Sequence, residues 1–184
     1  PAAGRTELGV VPIVAFNSDL GFGAGAIFNI ARTHPDASPY RWRLRVQSLL
    51  HLNPSPDFGP VLTFQAHALV LDLPELASGR LRLETALLAS RRSTASWYGL
   101  GNASTEQRPW ESVDRLDDPA GYAVARRHHR YDHAQVALHA VLHARLVDRL
   151  AAVAGLEGSW NEIQAYPGSL LELEAAGAAG EQVS

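Results

Sequence analysis

The sequence predicts an all-β fold: an antiparallel up-and-down transmembrane β-barrel, to which the chain contributes about seven strands. Three observations lead to this prediction. Apolar and polar residues alternate with a period of two along most of the chain, as they do in a strand with one apolar face. Several alternating runs exceed ten residues, whereas soluble strands usually have about five or six residues and tilted membrane-spanning strands about 9–11. Short and long connections alternate between the runs, which is typical of membrane barrels.

A glycine-rich stretch follows the first predicted strand. Its pattern, Gly-x-Gly-x-x-Ala beginning at Gly21, resembles the phosphate-binding turn of dinucleotide-binding folds. That turn leads into a helix, but here the alternation continues, and Pro35 falls where the helix would run. We therefore interpret Gly21, Gly23 and Gly25 as one face of a second strand, next to the first strand of the barrel. Their missing side chains would allow flexibility or the close approach of a lumen element.

The middle strands place polar and apolar residues on opposite faces. In 41–52, arginines alternate with Trp42, Leu44 and Val46. In the strand 60–72 we assign Gln65 and His67 to the polar face; the apolar face there is assigned to Phe64, Ala66, Ala68 and Val70. In 80–92, Leu81, Leu83, Leu87 and Ala89 share a face with Thr85, opposite Arg80, Arg82 and Glu84.

The segment 131–156 is rich in alanine and leucine and at first suggests a helix. Every even position from 134 to 146 is Ala, Val or Leu, and most of the odd positions between them are polar. On a helix, at about 100° per residue, those polar residues would scatter around the axis. We predict a strand, a turn at 148–149 and a further strand.

The strands and connections then follow in order. The predicted strands run near 9–16, 20–32, 41–52, 60–72, 80–92, 130–146 and 150–165. The connections near 33–40, 73–79 and 147–149 are short. The connection 93–129 is long and polar, and we expect an extracellular loop there; the chain from 167 onward is expected to begin another long connection.

We expect the polar faces to line a water-filled lumen. The predicted lumen-facing polar residues are Arg41, Arg43, Arg45, Gln65, His67, Arg82, Glu84, His133, Gln135 and His139. We expect the apolar faces to be free of charge, as lipid contact requires, because a charge at the centre of a bilayer costs about 2–4 kcal/mol. Aromatic residues near strand ends, such as Tyr40 and Trp160, suit the membrane interface. A soluble β-sandwich or lipocalin-like domain also has a polar outer face and is the alternative.

Composition and motifs argue against several function classes. The chain has 184 residues and a net charge of −3, which gives no electrostatic argument for nucleic-acid binding. Cysteine is absent, so disulfides and thiolate metal sites are excluded. His139 and His143 would lie about 13 Å apart on a strand, too far to share an ion. Ser96, His128 and Asp132 lack the sequence motif of a hydrolase nucleophile. We expect no enzyme activity, no cofactor and no metal site.

Three stretches resemble the BamA/TamA-type outer-membrane protein family, the bacterial surface antigen barrel domain. They are 12-PIVAFNSDLGFGAGAIFNI-30, 97-WYGLGNAST-105 and the hairpin within 130–163. The residues of the family-like motif are Trp97, Tyr98, Gly99, Leu100, Gly101 and Asn102. The resemblance implies a sixteen-stranded barrel preceded by periplasmic POTRA domains. Because about seven strands cannot close such a barrel, we expect residues 1–184 to be the N-terminal part of one barrel domain.

The resemblance also carries expectations about function. It implies a protein of the bacterial outer membrane that contacts outer-membrane lipid. Some family members insert other barrels into that membrane through a weak seam between their first and last strands, and the resemblance would put Gly21, Gly23 and Gly25 next to this seam. Client outer-membrane proteins or accessory periplasmic factors are therefore the expected partners, and nucleic acid is not. A surface antigen or a passive pore on the same scaffold is the first alternative. A soluble binding domain is the second.

Overall fold

A computed structural model describes residues 4–35, 37–55, 59–99, 109–147 and 149–181. Within them lie seven strands and two short α-helices. In chain order these are β1 (Arg5–Asn17), β2 (Gly21–His34), β3 (Ala37–Ser55), β4 (Gly59–Leu76), β5 (Leu81–Ser96), α1 (Pro119–Ala125), β6 (Arg130–Val147), β7 (Leu150–Ala165) and α2 (Leu170–Glu181). In the described part of the chain, no helix is long and apolar enough to cross a membrane.

The seven strands form one open antiparallel sheet in which each strand pairs with the next along the chain. The predicted all-β class, strand number and strand order are therefore confirmed. The strands have 13 to 19 residues. The alanine-rich segment forms β6 and the start of β7, because its period of two places every Ala, Val and Leu at an even position on one face. The glycine-rich stretch forms β2 and no helix, so the structure has no dinucleotide-binding turn there.

The strand register defines two faces of the sheet. On the first, Leu44 pairs with Leu71, and Leu87 pairs with both Leu69 and Leu138. We call this the apolar face. The other face, which we call the polar face, carries most of the predicted lumen-facing residues; these are Arg41, Arg43, Arg45, Arg82, Glu84, His133, Gln135 and His139.

Two residues of β4 lie on the face opposite to the predicted one. Gln65 pairs with Leu50, and His67 pairs with Ser48, so both lie on the apolar face. The prediction that they share a face with the arginines of β3 is wrong. The His67 imidazole is 3.0 Å from the Ser48 hydroxyl, so this polar pair is matched across the two strands. Phe64, Ala66, Ala68 and Val70 correspondingly lie on the polar face.

Burial in the sheet is the reverse of that in a water-soluble domain. On the apolar face of β3 to β6, which are paired on both sides, Leu50, Leu69, Leu87 and Leu138 are 41% to 48% exposed. Among the described residues, the buried apolar side chains are Val70, Ala95, Ala137 and Leu170. The buried polar ones are His51, Thr63, Asp72, Thr94, His129, Asp132 and Ser169. The interior of the fold is thus built mainly from polar contacts.

The sheet curves toward its polar face. The turn between β1 and β2 carries Asp19, whose carboxylate contacts Arg92 of β5 and Arg130 of β6. These strands are third and fourth neighbours of β2, so a flat sheet with strands about 4.8 Å apart would keep them out of reach. The curvature brings side chains from distant strands together at that end of the sheet.

Candidate functional site

The turn of the first hairpin is fixed over the polar face. The side chain of Asn17 accepts hydrogen bonds from the backbone N–H groups of Asp19 (2.8 Å) and Leu20 (3.1 Å), which shapes the turn. The Asp19 carboxylate accepts hydrogen bonds from the guanidinium groups of Arg130 at 2.9 Å and of Arg92 at 3.2 Å. The first hairpin is therefore tied to strands that follow it by more than seventy residues.

A cavity of about 430 Å³ lies beside this turn. We call this end of the sheet the loop end, because the long connection between β5 and β6 leaves from it. Among the described residues, the charged groups lining the cavity are one carboxylate and four guanidinium groups, namely Asp19, Arg115, Arg126, Arg127 and Arg130. Hydroxyl groups of Thr63, Ser93 and Tyr122 also line it. The charged side chains among the described lining residues are therefore mostly guanidinium groups.

Helix α1 presents two of these arginines. Pro119 occupies its first turn, and the Asp118 carboxylate accepts a hydrogen bond from the Gly121 N–H at 2.8 Å, which caps the helix. The helix ends after about two turns, and the chain passes Arg126 and Arg127 before it enters β6. The cap thus fixes the start of α1 and with it the position of Arg126 and Arg127 relative to the ends of the strands.

Tyr166 closes one side of the cavity. Its hydroxyl donates a hydrogen bond to the Ser93 carbonyl at 2.9 Å, which joins the ends of β7 and β5. Burial raises the pKa of this hydroxyl, and the carboxylate of Asp132 raises it further, so the group remains a neutral donor. The Arg127 guanidinium lies over the Tyr166 ring, 5.1 Å from its centroid.

A second cavity of about 260 Å³ adjoins the first. The two share Asp19, Arg126 and Arg130, and the smaller one is also lined by Tyr98 and His129. The rings of Tyr98 and His129 lie 5.3 Å apart. This places one residue of the predicted family-like motif at the cavity.

The first residues of that motif join the loop to α2. The Trp97 indole donates a hydrogen bond to the Glu174 carboxylate at 2.7 Å, and the Trp97 backbone N–H donates to the His129 carbonyl at 2.8 Å. Gly99 has a positive φ of 78°. The remaining motif residues, Leu100, Gly101 and Asn102, lie outside the described residues.

A polar cluster stands at the opposite end of the sheet, around a carboxylate that sequence reasoning did not single out. Asp72 is 1% exposed, and its carboxylate accepts hydrogen bonds from two guanidinium nitrogens of Arg82, Nη2 at 3.0 Å and Nε at 3.2 Å. Arg43 reaches it at 3.5 Å, and the Tyr40 hydroxyl donates to it. The structure thus brings predicted Arg43 and Arg82 together. The signal in the sequence is that Asp72 interrupts an otherwise apolar run.

The glycines of β2 accommodate β3. A β-carbon at Gly23 would lie 2.6 Å from the imidazole of His51, and one at Gly21 or Gly25 would collide with backbone oxygens of β3. His51 is 4% exposed and stands edge-on to Phe64, with ring centroids 5.7 Å apart. The atoms nearest to these glycines therefore belong to the neighbouring strand β3 and its His51, and not to a separate lumen element.

The histidines of β6 have polar neighbours on β7. His133 lies 3.1 Å from the Asn161 side chain, and His139 lies 3.6 Å from the Glu157 carboxylate. Asp132 is held by Arg91 at 2.6 Å, and the register of β5 and β6 puts this ion pair on the apolar face, so the expectation that this face carries no charge is wrong. Within the described ranges, no group of three or more His, Cys, Asp or Glu side chains is placed to hold a metal ion. We found no protein-family model, no curated protein and no solved structure that matches this chain.

Proposed function

We propose that this chain forms part of an outer-membrane β-barrel of the BamA/TamA-like assembly family. The observation that carries the proposal is the burial pattern of the sheet: leucine, valine and phenylalanine side chains are exposed on the apolar face, while His51 and Asp72 are buried on the polar face. Exposed apolar surface is unfavourable in water by about 25 cal/mol per Å² and favourable against lipid tails. A bilayer against the apolar face accounts for the exposed apolar side chains on that face and for the buried polar side chains on the other.

The backbone supports the same placement. In the hydrocarbon region every N–H and C=O group needs an internal partner, and a continuous antiparallel ladder provides these for the inner strands. β1 and β7 pair on one side only within the described sheet. In a membrane we therefore propose that further strands cover both edges, as they would in a closed barrel.

The assembly role rests on the resemblance of the first hairpin, the Trp97 motif and the β6–β7 hairpin to that family. In such proteins the first strand stands at a weak seam. Here, β1 is exposed along nearly its whole length. We propose that β1 occupies the equivalent position and that the protein aids the insertion of client outer-membrane proteins.

Two measurements test the proposal in order. The full-length protein should fractionate with the outer membrane and show a faster-migrating band on SDS gels when it is not boiled. A protein that stays in the aqueous fraction, with no shift on boiling, contradicts the barrel. Depletion of the protein should then lower the level of other outer-membrane barrels. If those levels do not change, the assembly role fails while the barrel remains, which leaves a pore or a surface antigen.

A further inference from the structure

We infer that the bilayer covers the apolar face along a diagonal band and that two opposite corners of this face meet lipid head groups instead of hydrocarbon. The loop-side corner is the loop end of β5 to β7. The turn-side corner is the other end of β1 and β2, which we call the turn end. The inference rests on the proposed function, and it adds where the hydrocarbon begins and ends on the sheet.

One row of paired residues shows the loop-side corner. By a row we mean residues that face each other across successive strands, so that all of them lie on the same face of the sheet. From β1 to β7 this row consists of Val14, Ala24, Leu50, Gln65, Arg91, Ala134 and Glu162. It is apolar on β1 to β3 and mostly polar from β4 onward.

A second row lies eight residues nearer the turn end on each strand and shows the opposite order. Its members on β1 to β3 are Thr6, Arg32 and Trp42, and those on β4 to β7 are Leu73, Leu83, Leu142 and Ala154. The two halves are in register because Arg43 pairs with Asp72, next to Trp42 and Leu73. The polar residues have therefore moved from one side of the sheet to the other between the two rows.

Exposed apolar side chains fill the other two corners. At the loop end of β1 to β3, Phe16, Phe22 and Leu52 are 47% to 78% exposed. At the turn end of β6 and β7, Leu146 is 60% and Leu150 is 57% exposed. The apolar surface thus runs diagonally from the loop end of the first strands to the turn end of the last ones.

A diagonal band is what tilted strands require. Strands of membrane barrels tilt by about 35–45°. With strands about 4.8 Å apart, a tilt of about 40° moves a given membrane depth along the strand by about 4 Å at each neighbour, which is about six residues from β2 to β7. The depth of Arg32 on β2 then corresponds on β7 to the turn at 148–149. A band about 25 Å tall covers about ten residues of such a strand, which on β2 are Phe22–Ala31.

Head groups suit both corners because the polar side chains there already bind one another. Arg91 and Asp132 form an ion pair at 2.6 Å, and the Gln164 amide donates to the Glu162 carboxylate. At the turn-side corner the Arg32 guanidinium donates to the Thr6 hydroxyl at 2.8 Å. Such groups are unfavourable in hydrocarbon, and this cost falls nearly to zero at the interface. Hydrated head groups are therefore the partner that we assign to them.

The test compares matched positions of the two rows in the full-length protein, reconstituted in phosphatidylcholine vesicles. Because residues 1–184 contain no cysteine, a single introduced cysteine can carry a nitroxide spin label at a chosen position of this chain. The loop-side row is labelled at Ala24→Cys or Ala134→Cys, and the turn-side row at Thr6→Cys or Ala154→Cys. The readout is the collision rate of the label with oxygen, which concentrates in hydrocarbon, divided by its collision rate with a water-soluble nickel complex.

The ratio should be several-fold higher at Ala24 than at Ala134 and several-fold higher at Ala154 than at Thr6. Within each row the two positions have the same register, so upright strands would give them the same depth. A difference of opposite sign in the two rows is specific to a diagonal band.

Equal ratios within each row overturn the inference and leave the bilayer in place. Frequent collision with the nickel complex at all four positions contradicts the proposed function itself. A label at Ala134 that meets neither probe shows that a protein covers the loop-side corner, and this overturns the assignment to head groups. Val14→Cys and Leu142→Cys lie in the same two rows and replace a lipid-facing variant that does not fold.

Discussion

The carboxylate of Asp19 lies 2.9 Å from the guanidinium group of Arg130, which follows it by 111 residues. This pair, together with Arg92, joins the turn of the first hairpin to β5 and β6 across the polar face. The same turn is also bound to β3 and β4, because the Asn53 side chain donates to the Asp19 carbonyl at 3.3 Å and the Thr63 hydroxyl donates to the Leu20 carbonyl. The ion pair is thus a direct connection between the proposed seam and the interior of the sheet.

Replacing Asp19 by Asn should loosen this turn with little change in global stability. All three side chains are at least a third exposed, so the pairs should contribute no more than about 1 kcal/mol and should weaken in salt. We expect faster amide hydrogen exchange at residues 18–20. Glu7→Gln, which removes a carboxylate from the same hairpin, is the control. If the effects of Asp19→Asn and Arg130→Gln on the exchange rates add up in the double variant, the two residues act independently and the pair does not hold the turn.

The glycines of β2 give a second prediction. Gly23→Ala should destabilise the protein by about 1–3 kcal/mol, because its methyl group would overlap the buried His51 ring. Gly158→Ala is the matched control, since nothing lies within 4 Å of a β-carbon there. The measurement is urea unfolding of the full-length protein. In a His51→Ala background the cost of Gly23→Ala should shrink, and an unchanged cost would show that the ring is not the obstacle.

The alternation of the sequence predicts the strands because each strand must present one apolar face, whether that face contacts lipid or a protein core. It misplaces Gln65 and His67 because β4 has apolar residues at both odd and even positions, Phe64 and Val70 among the latter. Only the pairing with β3 shows whether the odd or the even positions of β4 lie on the apolar face. The arginine-lined cavity is not predictable in the same way. It forms where curvature brings Asp19 to residues more than seventy positions later, and no local period encodes that contact.

Asp72→Asn should destabilise the sheet by about 1–2 kcal/mol. The carboxylate is buried and accepts from Arg82, Arg43 and Tyr40, but the two arginines are more than a third exposed, which reduces the effect. Glu84→Gln is the control because Glu84 is half exposed and contacts Arg82 at 3.5 Å, so its loss should cost almost nothing. Equal effects in urea unfolding would mean that Asp72 does not organise the cluster.

An arginine on the apolar face distinguishes lipid from water around the sheet. Leu138 lies near the middle of β6 and is 48% exposed. In water, Leu138→Arg should change stability by no more than about 0.5 kcal/mol, as at other surface positions. In a bilayer the same change should cost about 2–4 kcal/mol, because the charge would stand among lipid tails. Gln135→Arg, on the polar face of the same strand, is the matched control and should be tolerated in both settings. The readout is urea unfolding of the full-length protein reconstituted in lipid vesicles, followed by the mobility of the unboiled band. A cost for Leu138→Arg that matches the cost for Gln135→Arg would place the apolar face in water and remove the basis for the barrel.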